Sequence, residues 1–300
     1  MYLLQTVTAV YLRLLGHEIS KGGFVLDVNE TPDPEELEDA YMRYANARVC
    51  PPRPAEKTYR VRGTQEPFYT LNVIDGIMSV SAVQKVAKQY QASITEYLNA
   101  VLLYSLLQKQ EHDFHLRLRP VRIAMPVNLR RFFPSKTLRN FITMVYPSID
   151  PRLGDYTFEE IVTQVHHYMS YYINSKFLRG DITTNASTQR NPLIRIVPLF
   201  LKDFVVRQFY QRVQDKNSSA GLTNMGAIRV PDDMKPYLER FDIYMGIPYS
   251  QRTNCAIVSF EDTLTVNFAS CIIEADVERR FFQKLVEDGI PVTIESNREL

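Results

Sequence analysis

Removing a proton from a hydroxyl, amine or thiol at neutral pH calls for a base that titrates nearby, and histidine comes closest. The chain holds five histidines: His17, His112, His115, His166 and His167. His17 follows a first helical stretch, and His112 and His115 follow a helix that is predicted to end near Lys109. There a partial positive charge suits the carbonyl end of the helix dipole. A metal at His112 and His115 needs two further ligands that the neighbouring sequence does not offer. His166 and His167 fall off the apolar stripe of their own helix, which places both in solvent. No P-loop, GxGxxG, HExxH, CxxC pair or GxSxG is present, so nucleotide, zinc and serine-hydrolase sites lack their usual sequence support.

Three other stretches stand out. Residues 125–141 read as a strand exit followed by an irregular loop rich in arginine and asparagine, with Asn128, Arg130, Arg139 and Asn140; loops of this kind usually make structural hydrogen bonds. Residues 222–227 bring together a hydroxyl, an amide and a glycine in Thr223, Asn224 and Gly226, ahead of a strand-like 228–230. The same cluster is common turn chemistry. Residues 95–100 form a capped start, at Thr95, to a deeply apolar helix.

The elements that must position these residues follow from periodicity. A strand or hairpin is predicted at 68–80, helices at 81–90 and 95–109, a strand at 120–128 and a helix at 157–175. A hairpin spans 255–271 and turns at Glu261-Asp262, a helix at 276–288 is closed by Gly289, and a last strand covers 290–295. Thr157 and Glu160 form a capping box, after which Phe158, Ile161, Val162, Val165, Tyr168, Met169 and Tyr172 hold one apolar face. In the hairpin Leu264, Val266 and Phe268 alternate with Thr263, Thr265 and Asn267, leaving a polar face available to line a cleft. The expected class is α/β or α+β with a mixed sheet, without internal repeats.

The first 16 residues place Leu3, Leu4, Val7, Val10, Tyr11, Leu14 and Leu15 at three- and four-residue steps, which describes an amphipathic core helix. It is shorter than the ~20 residues a bilayer span needs and has neither a basic leader nor a small-residue cleavage site. Residues 18–67, punctuated by Gly22-Gly23, Pro32, Pro34, Pro51-Pro52, Pro54 and Pro67, read as a linker or crossover whose only helix lies at 34–48. The resulting division is 1–17, 18–67 and a continuous unit at 68–300.

Thirty-five Lys and Arg against 34 Asp and Glu give a formal charge of +1, and no basic run suggests a groove for phosphates, which argues against a nucleic-acid partner. Cys50, Cys255 and Cys271 are odd in number and far apart, pointing to free thiols in a reducing compartment, the cytoplasm by default. Residues 193–210 alternate apolar residues with Arg195, Lys202 and Arg207. Such a segment suits a lipid interface, and packing of a helix against a sheet explains the same pattern.

Together, and in this order along the chain, the three stretches resemble the chloramphenicol acetyltransferase-like superfamily, most closely its alcohol acetyltransferase and condensation-domain branch. Leu138-Arg139-Asn140-Phe141 lies where condensation domains place a Gly-x-Phe-x-Asn element. Thr223-Asn224-Met225-Gly226 is similar to the Ser-Asn-Leu-Gly element of dihydrolipoyl acyltransferases, and residues 95–100 to a helix start in plant alcohol acyltransferases. Phe281-Phe282 through Asn297, with Gly289-Ile290-Pro291-Val292, is similar to the closing segment of stand-alone bacterial members. The resemblance implies an acyl-CoA or carrier thioester as donor, an alcohol or amine acceptor, no bound cofactor or metal, and a tunnel between two subdomains. It also implies an oxyanion role for Thr223, backbone roles for Asn224 and Gly226, and bracing roles for Asn128, Arg130, Arg139 and Asn140. The superfamily's general base sits in His-His-x-x-x-Asp-Gly, and no segment here matches: after His166-His167 the Asp and Gly positions hold Tyr171 and Tyr172. The resemblance places that base just before a helix like residues 1–16, so the expectation is a C-terminal part lacking its catalytic histidine. A naturally non-catalytic acyl- or partner-binding protein of the same fold is the alternative.

Overall fold

The computed structural model describes residues 2–22, 25–27, 29–46, 57–67, 70–113, 117–190, 198, 203, 218–248 and 251–298. The strands are β1 (Asn72–Ser79), β2 (Val121–Asn128), β3 (Ile142–Val145), β4 (Ser148–Ile149), β5 (Ala220–Ala227), β6 (Thr253–Phe260), β7 (Thr263–Ser270) and β8 (Thr293–Ser296). They form one mixed sheet in the order β3-β2-β5-β6-β7-β1-β8, with β4 also paired to β2. β2, β5 and β6 run parallel and the remaining pairs are antiparallel. The helices described are α1 (Tyr2–Leu14), α2 (Ala40–Tyr44), α3 (Val80–Gln89), α4 (Ile94–His112), α5 (Phe158–Tyr172), α6 (Ser175–Arg190) and α7 (Asp276–Glu287). This is the mixed-sheet α/β architecture that the alternating elements predicted.

The core lies between the sheet and a helical layer centred on α4. Ser93 and Glu96 close a capping box at its start, and Tyr97, Leu98, Val101, Leu102, Leu103 and Leu106 are fully buried. Helices α3, α5 and α7 pack around it, so α4 has no solvent face to give it an amphipathic pattern. Leu222, Cys255, Ile257, Val266 and Phe268 supply the sheet side of the same cluster.

Several boundaries differ from the sequence reading for local reasons. The helix expected at 157–175 ends as α5 at Tyr172, and α6 starts anew because Asn174 Oδ1 accepts from Lys176 N (3.0 Å) and Phe177 N (3.1 Å). The helix expected at 34–48 becomes a 3₁₀ turn at Pro34–Leu37 capped by Asp33, then α2 capped by Asp39. Residues 222–227, expected as a turn ahead of a strand, are themselves most of β5.

Two faces are reversed. In α1 the buried residues are Gln5, Thr6, Ala9 and Leu12, whereas Leu3, Leu4, Val7, Tyr11, Leu14 and Leu15 are exposed. The helix is held by its polar side: Gln5 Nε2 donates to Arg229 O (3.0 Å), and Thr6 Oγ1 accepts from Leu26 N (2.9 Å). The polar face of the β6-β7 hairpin lines no cleft, because residues 228–248 lie across it. Thr265 Oγ1 donates to Phe241 O (2.8 Å), Asn267 Oδ1 accepts from Ile243 N (3.2 Å), and Asp75 accepts from both Asn267 Nδ2 and Tyr244 OH (2.8 Å each). Ile228, Phe241, Val258 and Phe260 pack beneath this strap.

Two stability predictions follow from the core. A Cβ at Gly76 would lie 2.1 Å from Cε1 of Phe282, whose ring is wedged between Phe268 and Phe281. Gly76→Ala is therefore expected to cost about 1–3 kcal/mol, read as a lowered urea midpoint. Glu278 is buried, and burial pushes its carboxyl above the ordinary carboxylate range, against the downward pull of the Thr253 hydroxyl donating to it at 2.7 Å. The fold thus favours the protonated form, so stability is full below a carboxylate's usual pKa of about 4.3 and declines as pH rises through the raised value. Glu278→Gln keeps the acceptor for Thr253 and is expected to melt above the parent at pH 8 and level with it at pH 4; equal melting at both would contradict this.

Candidate functional site

Two of the three stretches singled out in the sequence meet at the end of β5. Asn224 Nδ2 donates to Thr95 Oγ1 in the first turn of α4 (2.9 Å), and Asn224 Oδ1 accepts from Gly226 N (2.8 Å). The β5-β6 register shifts between Asn224 and Ala227, and Gly226 takes φ +74 with open space where a Cβ would stand. Its glycine is required by backbone conformation, since a left-handed φ costs other residues about 1–2 kcal/mol. One asparagine thereby fixes the bulge and fastens it to the helical layer.

Side chains alternate along a strand, so this bond also fixes where Thr223 points. Leu222 and Asn224 face α4 and the core. Thr223 faces the side of the sheet opposite α4, paired in register with Ala256, half-buried between Gly221 and the exposed Met225. Among the described residues its hydroxyl has no hydrogen-bond partner. The strap reaches the neighbouring position: a Cβ on Gly221 would meet Asn254 Oδ1 at 2.8 Å and Met245 Cε at 3.1 Å. Asn254 in turn bonds Gly221 N (2.8 Å) and Gly246 O (3.0 Å). The strap is therefore pinned beside Thr223.

A residue without an assigned role in the sequence reading adds to the site. Asn99, one turn beyond Thr95, is fully buried; its Nδ2 donates to Thr95 O (2.8 Å), while its Oδ1 has no partner among the described atoms. Nothing in a helical pattern marks such an orphan, because Asn at one position of an apolar helix reads as an interruption only.

The third stretch behaves as a brace. Asn128 caps the 3₁₀ turn Leu129–Arg131, accepting from Arg130 N (3.1 Å). The Arg130 guanidinium donates to Thr137 O (2.7 Å) and Arg139 O (2.5 Å), and Arg139 Nη1 reaches Leu37 O (3.3 Å). Thr137 Oγ1 completes the clasp on residues 36–38 through Glu38 O (2.6 Å). Asn140 is exposed.

The described histidines take no part in the β5 hydrogen bonds. His17 stacks against Tyr237 with ring centroids 4.1 Å apart, and His112 and His167 are exposed. His166, expected in solvent, is about half exposed and pairs through Nδ1 with Glu96 Oε1 at 2.9 Å. Burial draws the Glu96 carboxyl upward, but the Ser93 amide and hydroxyl together with His166 outweigh it and hold it below its ordinary value. His115, Cys50 and all of 193–210 except residues 198 and 203 fall outside the described residues. Cys255 is buried and Cys271 partly exposed, both as free thiols. Among the described residues no His, Cys, Asp and Glu side chains gather as a metal site, and no helix is long and apolar enough to cross a membrane.

No family model matches the sequence, and no curated protein does. Solved structures do. The chain is similar to the trichothecene 15-O-acetyltransferase TRI3 of Fusarium sporotrichioides, with 14% identity over 88% of this chain and 53% of that one at a TM-score of 0.50. It is also similar to the AMPPNP-bound form of the nonribosomal peptide synthetase FmoA3, with 12% identity over 78% of this chain and 23% of that one at a TM-score of 0.51. The fold is therefore of the chloramphenicol acetyltransferase-like type, shared by acyltransferases and condensation domains. The chain spans about half the length of the acetyltransferase and about a quarter of the synthetase.

The Asn224 bonds give a direct test. Asn224→Ala strands the Gly226 amide and the Thr95 hydroxyl and is expected to lower stability by about 1–3 kcal/mol in chemical denaturation; a loss below about 0.5 kcal/mol would mean that the bulge stands without them.

Proposed function

We propose that this chain forms the oxyanion-bearing part of an acyltransferase that moves an acyl group from a coenzyme A or carrier-protein thioester to an alcohol or amine. The observation that carries the reading is the Thr223 hydroxyl, half-buried and without a hydrogen-bond partner among the described residues on the sheet face opposite α4, beside a bulge locked by Asn224 and Gly226. In the reaction a base takes the acceptor's proton, the acceptor oxygen or nitrogen bonds to the thioester carbon, and negative charge gathers on the carbonyl oxygen. Thr223 Oγ1 donates to that oxygen; the intermediate then collapses, the C–S bond breaks, and the thiolate recovers a proton. A donor aimed at such an oxygen lowers the barrier by about 3–4 kcal/mol.

In this reading the base is a histidine that the β5 cluster does not itself hold, brought by a partner that covers the outward row of Leu3, Leu4, Val7, Tyr11, Leu14 and Leu15 on α1. An exposed apolar row of this extent favours a covering partner. Asn128, Arg130 and Arg139 hold the 128–141 loop, and Asn140 completes it, without touching the reacting atoms.

A second reading, binding of acyl groups or a partner without turnover, is favoured by the placement of the described histidines, none of which joins the β5 cluster. The two are separated by titrating the 300-residue chain with acyl-CoA and assaying transfer to an alcohol with and without an added N-terminal half carrying His-His-x-x-x-Asp-Gly. The acyltransferase reading predicts turnover only with the added half, and a fall in kcat on the order of 10²–10³ in Thr223→Val. Unchanged turnover in that variant removes Thr223 from the reaction, and binding without turnover in both forms favours the second reading.

A further inference from the structure

Although no basic run marks the sequence, three separate segments bring five arginines around one cavity. Arg60 and Arg62, Arg117 and Arg119, and Arg252 line a pocket of about 530 Å³, and no carboxylate is among its lining residues. In residues 59–62 Tyr59 and Val61 are buried, so Arg60 and Arg62 share the outward face. Tyr59 N donates to Pro120 O (2.9 Å), which lays this segment alongside the one carrying Arg117 and Arg119. Arg252 flanks the start of β6, its carbonyl held by Cys271 N (3.0 Å).

The backbones carrying these arginines are fixed by buried groups. Gln110 of α4, 3% exposed, grips Arg119 from both sides: its Nε2 donates to Arg119 O (3.0 Å) and its Oε1 accepts from Arg119 N (2.9 Å). Tyr59 OH donates to Asp113 Oδ2 (2.7 Å). At Gly63 a Cβ would fall 2.5 Å from Glu274 Oε2 and 2.9 Å from Ile272 Cδ1, so a glycine lets the segment lie close without moving those side chains.

Among the described residues the nearby carboxylates Asp113 and Glu274 accept from other donors. Asp113 Oδ1 accepts from Lys109 Nζ (2.8 Å), and Glu274 accepts from Thr64 N and Oγ1 (2.7 Å each). Guanidinium groups are planar forks that match phosphate oxygens two at a time, and several on a rigid frame favour a ligand with more than one phosphate. The cavity is concave and of small-ligand size rather than an extended groove.

We propose that this arginine pocket binds a small soluble molecule carrying two linked phosphate groups. The site stands apart from the reading of Thr223 and does not depend on it. Isothermal titration of the full chain with inorganic pyrophosphate at 0.15 M salt is expected to show saturable binding at least about tenfold tighter than inorganic phosphate gives. Arg62→Gln with Arg119→Gln should weaken pyrophosphate at least about tenfold with an unchanged melting curve, whereas Arg43→Gln, an arginine paired with Glu38 elsewhere on the surface, should leave it unchanged. Absence of pyrophosphate binding, equal affinity for phosphate, or equal loss in Arg43→Gln would overturn the proposal. So would sedimentation with phosphatidate-containing vesicles that pyrophosphate fails to compete away, since the phosphates would then be those of a lipid surface.

Discussion

A helix buried along most of its length must find partners for its polar atoms within the protein, and α4 is such a helix. Its apolar residues form the centre of the core, and several of its polar groups become anchors for other segments, while Asn99 Oδ1 has no partner among the described atoms. Tyr97 OH reaches Asp288 beyond α7 (2.7 Å), and Lys109 joins Asp113 (2.8 Å) and Asp276 (3.0 Å). At one end Thr95 receives Asn224 and sets the β5 bulge; at the other Gln110 grips Arg119. The two candidate sites are thus built on opposite ends of one immobile element. For the Tyr97 hydroxyl the consequence is chemical as well: burial, then the adjoining Asp288, drives its pKa upward, so it remains a donor at any ordinary pH.

The second sheet face obeys a different constraint. A sheet covered by helices on one side must either expose its other face or cover it, and here residues 228–248 cover β6, β7 and β1 through a polar network. Asp75, Asn267, Asp242 and Arg240 are joined in series, ending at Glu295 on β8 (Arg240 Nη2 to Oε2, 2.6 Å). Polar anchoring fixes the strap's position more narrowly than apolar packing alone, because each bond specifies a partner. Thr223 stands where this cover meets Met225, which is 42% exposed. The placement explains how one strand presents a core residue, a structural amide and an accessible hydroxyl in three successive positions.

The sequence revealed the fold wherever local chemistry decided the structure. The Thr157-Glu160 capping box, the β6-β7 alternation around Glu261-Asp262 and the positive φ of Gly289 all follow from residues within a few positions of one another. It misled where the deciding partner was distant. Leu3, Leu4 and Val7 promised a core face, but Arg229 O and Leu26 N captured Gln5 and Thr6 and turned the helix outward. Thr265 and Asn267 suggested a cleft, and the strap sealed it. Thr223, Asn224 and Gly226 drew notice as a cluster, while the bond from Asn224 to Thr95 spans 129 positions and has no sequence signature. The arginine pocket lay beyond reach for the same reason, since 60–62, 117–119 and 252 converge only when the sheet is assembled.

The role proposed for Thr223 is to present its hydroxyl to a thioester carbonyl. The most direct check is the ¹³C resonance of a carbonyl-labelled acyl-CoA titrated with the chain, because a hydrogen bond to that oxygen polarises the carbonyl and moves its carbon downfield. The account predicts a downfield shift at saturation that disappears in Thr223→Val while the analogue still binds. The same shift in both proteins, or no shift in the saturated parent, would contradict it.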